Sequence, residues 1–135
     1  MDYMTYIERI YIFASIIAVL SLIIVVAKFV TKRFQKKSSV LFNRVDTKLM
    51  KIHKSSAKIL IVSGTLHGML TLTNFTQYGI KPYIMGTICL LCCIASAACF
   101  YLKKRLKSTK SWVLYHRFFA VISLAAFIGH IALSR

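Results

Sequence analysis

Four long stretches without a formally charged side chain, Ile10–Ala27, Ile59–Ile80, Pro82–Leu102 and Phe118–Ser134, dominate this sequence. An α-helix rises about 1.5 Å per residue, and about 20 residues cross a hydrocarbon layer about 30 Å thick. Each stretch is close to that length, and together they take up most of the 135 residues. Membrane-barrel strands alternate apolar and polar residues, whereas these runs are apolar on every side. The expectation is an all-α single domain over 1–135. It is a four-helix transmembrane bundle, up-down-up-down, with helices over about 7–31, 46–74, 82–104 and 111–134.

Composition agrees. The chain is 58% hydrophobic with one Pro and five Gly, and its mean hydropathy is +0.68, which excludes disorder and leaves little for loops. A cleaved leader fits Ile10–Ala27 poorly. Asp2 and Glu8 stand where a leader is positive, the run is too long, and Lys28, Lys32 and Arg33 follow it instead of small residues.

A formal charge of +16 sets the orientation. The first connection carries Lys28, Lys32, Arg33, Lys36, Lys37, Arg44, Lys48, Lys51, Lys54 and Lys58, and the third carries Lys103, Lys104, Arg105, Lys107 and Lys110. Basic connections stay in the cytoplasm, so the N and C termini are expected outside. Trp112, Tyr11, Tyr78, Tyr83, Tyr101 and Tyr115 fall near the predicted span ends, where amphipathic rings settle at the headgroups. Topology and anionic lipid account for the basic clusters, at about 1 kcal/mol per residue near the surface. Lipid is therefore the expected contact, an acidic cytoplasmic protein is a lesser one, and nucleic acid is not expected. The expected setting is multi-pass in a bacterial cytoplasmic membrane.

All four histidines fall in the second and fourth helices. His53 and His67 are fourteen positions apart, and so are His116 and His130. Fourteen steps of about 100° return to within about 40° of the same face, about 21 Å along the axis. Each helix therefore carries two imidazoles on one face, one toward each side of the membrane. The second and fourth helices of an up-down bundle run the same way, which sets His53 level with His116 and His67 level with His130. Facing imidazoles are what bis-histidine ligation of haem requires, so two non-covalent b haems are expected, with these four histidines as axial iron ligands.

The surroundings fit. Ala57, Ser63, Ala120 and Ala126 lie one turn inward from the histidines, with Gly64, Gly68 and Gly129 nearby, so a macrocycle edge meets little bulk. Lys54 and Arg117 each follow a cytoplasmic-side histidine and are expected to meet haem propionates. Interhelical hydrogen bonding would explain a lone histidine better than four at a duplicated spacing, and intramembrane ionisable groups are functional by default. Zinc or copper needs three or four ligands at one point, which about 21 Å between the histidines of each helix prevents for all four. A proton relay lacks acids, since Asp2, Glu8 and Asp46 all lie outside the apolar stretches.

The run His116-Arg117-Phe118-Phe119-Ala120 through His130 resembles the histidine-arginine motif of ferric reductase-like transmembrane domains and the NADPH oxidases. His53-Lys54 through His67 is a looser copy. That resemblance implies two b haems held between two alternate helices, a cytoplasmic haem on the first histidine of each, and outward electron flow. Ala120 stands where that family often has glycine. The architecture is also similar to four-helix cytochromes of the b561 type, including quinone-coupled superoxide oxidases.

Cys89, Cys92, Cys93 and Cys99 on the third helix are expected to pack between helices, and no CxxCH for covalent haem attachment occurs. No run can bind a flavin or a nicotinamide dinucleotide. The expected electron donor is therefore a membrane quinol or a separate flavoprotein docking on Arg44, Lys48, Lys51, Lys103, Lys104, Arg105, Lys107 and Lys110. Ferric iron, oxygen, superoxide or quinone is the expected class of acceptor. The competing class is a non-redox membrane protein, such as a small transport or accessory subunit.

Overall fold

The computed structural model describes residues 3–34, 40–72, 79–105 and 109–134. They form four helices, α1 Tyr3–Phe34, α2 Val40–Thr71, α3 Ile80–Tyr101 and α4 Thr109–Leu133, with a short 3-10 turn at Leu102–Lys104. Asp2, Lys36, Lys37, Tyr78, Lys107 and Arg135 lie outside the described residues. Tyr6–Thr31 of α1, Ile80–Tyr101 of α3 and Ser111–Leu133 of α4 are each long and apolar enough to cross a membrane. This points to an integral membrane protein. α2 differs because its first half carries Arg44, Asp46, Lys48, Lys51, Lys54 and Lys58. Its apolar part, residues 59–71, covers only about 20 Å at 1.5 Å per residue. The helix also starts at Val40, six residues before the expected 46, through a stretch that holds a single charged residue, Arg44.

Two compact units divide the chain, Met1–Leu66 and His67–Arg135. In the first, Ala14, Ser21 and Lys28 of α1 are buried at a seven-residue spacing, as are Ser56 and Ser63 of α2. Small residues repeated on one face are how helices approach closely in lipid, where hydrophobicity gives no net drive to associate. Ser63 is satisfied locally, its hydroxyl donating to the Ile59 carbonyl at 2.7 Å. Lys28 is 6% exposed and forms an ion pair with Asp46 of α2. Thr31 donates to the same Asp46 oxygen at 3.2 Å, and Lys28 Nζ also reaches the Asp46 main-chain carbonyl at 3.3 Å. Lys28 thus serves as an interhelical clamp, not one more free basic charge.

In the second unit α3 and α4 pack along their lengths. α3 opens at Gly79, whose φ of 75° is a conformation that side chains other than glycine resist. Pro82 sits in its first turn, where a missing N–H costs no helix hydrogen bond. Large apolar side chains turn outward on all four helices, among them Phe13, Val62, Leu114 and Ile128, as lipid contact requires.

Candidate functional site: the imidazole pairs and the α3 rail

α4 presents His116, Ser123 and His130 at seven-residue steps, and α3 meets them with Ser96, Cys89 and Pro82 at the same steps in reverse. A seven-residue repeat keeps two helices in register along a gently supercoiled seam. At one end His130 Nδ1 lies 2.8 Å from the Pro82 carbonyl oxygen. At the other, His116 Nδ1 lies 2.9 Å from the Ser96 carbonyl oxygen and 2.9 Å from Ser96 Oγ. Carbonyl oxygens only accept, so both rings carry their proton on Nδ1. In the neutral ring Nε2 is then the basic nitrogen, which is the second-shell arrangement that prepares a histidine to bind a metal. Ser96 closes its end by donating Oγ–H to the His116 carbonyl at 3.2 Å. Trp112 lies beside that ring, centroids 6.3 Å apart.

Midway, Ser123 is 3% exposed and meets Cys93 Sγ at 3.0 Å and Cys89 Sγ at 3.5 Å. All four cysteines are free thiols. Two of them therefore pack between helices as expected while also satisfying a buried hydroxyl.

His67 and His130 are brought together. Their ring centroids lie 6.2 Å apart with planes at 87°, both rings half-buried, with His67 Nδ1 shielded from solvent. A metal–imidazole bond of about 2.0–2.1 Å, with each nitrogen about 1.1 Å from its ring centre, puts two opposed imidazole ligands about 6.3 Å apart. The observed separation is one that two imidazoles on a single metal would have. Among the described residues no three His, Cys, Asp or Glu side chains converge on one point, so this unit offers a metal a two-imidazole set.

His53, the expected partner of His116, belongs to the first unit and is half-buried on α2. Of the small residues, Ser63 and Ala126 are buried, while Ala57 and Ala120 are half-buried. Gly68 has open space where a Cβ would stand, and Gly129 would meet Met85 at ordinary contact, 3.5 Å or more. Lys54 and Arg117 are exposed. Pro82, Gly86 and Ser96 are the residues that reasoning from histidine spacing alone misses. Their signal was the fourteen-residue interval from Pro82 to Ser96, which repeats the interval between the histidines. Compared with known protein families, curated proteins and solved structures, the chain matches none.

Proposed function

We propose that the chain is a four-crossing transmembrane b-type cytochrome that passes electrons across a bilayer, in a bacterial cytoplasmic membrane. His67 and His130 hold a haem on the outer side, and His53 and His116 hold one on the cytoplasmic side. The observation that carries this reading is the outer pair, two imidazoles at 6.2 Å, one of them locked in the Nδ1–H tautomer by a backbone carbonyl. Bound haem supplies reversible one-electron chemistry at iron.

The chain's own residues supply the rest. Pro82 and Ser96 fix ring orientation and raise ligand basicity. The small residues on the inward faces leave room beside the rings, and the outward apolar side chains keep the path dry. Lys54 and Arg117 meet propionate charge at the cytoplasmic border. The fourth crossing is carried by the apolar half of α2, and both termini lie outside, with sixteen of the nineteen Lys and Arg on the cytoplasmic side. A membrane quinol is favoured as donor over a separate flavoprotein, because topology already explains the basic connections.

The test is the reduced-minus-oxidised absorption spectrum of the protein purified from haem-replete cells. Sharp low-spin b-type bands are expected. A flat spectrum would return the chain to the non-redox class of small transport or accessory subunits.

A further inference from the structure

His130 lies unusually close to α3. A Cβ built on Gly86 would stand 3.1 Å from His130 Nδ1, 3.3 Å from Cε1 and 3.8 Å from Cγ. The imidazole therefore rests against the backbone of Gly86 with no space for even a methyl group between them. The floor and the hydrogen bond come from one helical turn. The Pro82 carbonyl that accepts the Gly86 N–H in a regular helix also accepts His130 Nδ1–H at 2.8 Å, using its second lone pair.

A methyl group at 86 would have to push the ring away by a few tenths of an ångström to reach ordinary contact. That displacement acts on the ring atom that carries the hydrogen bond, so it loosens the bond as it relieves the clash. The ring cannot give way freely, because α4 meets α3 through Cys93 on Ser123 two turns before it, with Met85 packed close to Gly129. The other level is built differently. The residue one turn after Ser96, at the position corresponding to Gly86, is Phe100, and His116 is held by both oxygens of Ser96.

We propose that Gly86 is a positioning residue specific to the outer imidazole pair. Having no side chain, it lets His130 seat its Nδ1–H on Pro82, which fixes the tautomer that leaves Nε2 basic and the ring facing His67. The spectral consequence rests on the haem reading above, whereas the tautomer consequence holds for the chain without any cofactor.

The experiment compares Gly86→Ala with Gly129→Ala, the same change at the residue next to His130, where an added Cβ meets Met85 at ordinary contact distance. In haem-free protein labelled with nitrogen-15 histidine, the wild type should show a protected Nδ1–H at His130. Gly129→Ala should keep it, and Gly86→Ala should lose it or bring it into fast exchange. In haem-loaded protein, Gly86→Ala should lower outer-haem occupancy about tenfold, the scale of second-shell changes. It should also alter the outer haem's low-spin electron paramagnetic resonance signal and leave the inner one unchanged.

If Gly86→Ala weakens the fold, the double variant with His130→Ala decides. Once the ring is absent, alanine at 86 should cost nothing further. An unchanged His130 proton in Gly86→Ala, or an equal stability loss with and without the ring, would overturn the proposal. Loss of the protected proton in a protein that binds no haem would uphold the role of Gly86 and sink the haem reading alone.

Discussion

Removing the Asp46 carboxylate should destabilise the helix pair more than any other single charge change in the described part of the chain. Lys28 is 6% exposed, so Asp46→Ala strands a buried ammonium. It also removes the acceptor used by Thr31 at 3.2 Å. Breaking a fully buried ion pair costs about 3–5 kcal/mol. Lys28 sits near the C-terminal end of the α1 span, however, and a lysine stem there can carry its charge to the interface, which lowers the expected loss to about 2–3 kcal/mol. The Asp46 main-chain carbonyl at 3.3 Å survives the substitution and limits the loss further. Lys28→Met should cost less, because it leaves a carboxylate at the more exposed side of the pair, still hydrogen-bonded to Thr31. The double variant Lys28→Met/Asp46→Ala should recover much of the loss, with a coupling of about 1–2 kcal/mol. Reversible unfolding in mixed detergent micelles measures all four species on one scale. Additive effects of the two substitutions would refute the clamp and return Lys28 to the ordinary topological charges.

Cysteines introduced in the Lys32–Lys37 segment of a variant whose native thiols are replaced should label only from the cytoplasmic side, and one placed near Tyr78 only from outside; the opposite pattern would invert the proposed electron path. His67→Ala and His130→Ala should deplete one and the same haem, and His53→Ala and His116→Ala the other. If His53→Ala instead matched His130→Ala, the helix polarity would be wrong. Haem reduction by a menaquinol analogue should be nearly independent of salt, since exposed charge pairing is screened over about 8 Å at physiological ionic strength and a quinol carries none. Failure of every quinol to reduce either haem would leave a docked flavoprotein as the donor.

Hydropathy and spacing made much of this legible. The apolar stretches mark the helices because a bilayer accepts little else. The fourteen-residue spacing puts the two histidines of each helix on one face, because helical period and rise convert sequence distance directly into face and height, and His67 lies beside His130. Of the small residues read one turn from the histidines, Ser63 and Ala126 are buried and Ala57 and Ala120 half-buried. The Lys28–Asp46 clamp was hidden for a physical reason. Lys28 is one of ten basic residues in that connection, and sequence alone does not say which of them turns inward to meet an acid. The support of His130 was hidden more deeply, since a backbone carbonyl has no side-chain signature. Gly86 differs from Gly68 only in what an added Cβ would touch. The start of α2 at Val40 was missed because residues 40–45 lie apart from the long uncharged stretch that marked this helix, separated from it by Asp46, Lys48, Lys51, Lys54 and Lys58.

The most direct test of the central claim is the number of haems bound per chain, measured by pyridine haemochrome against protein concentration after expression in haem-replete cells. Two b haems per chain are predicted, falling to one in His67→Ala and one in His116→Ala. One haem or none in the unsubstituted chain would contradict the account.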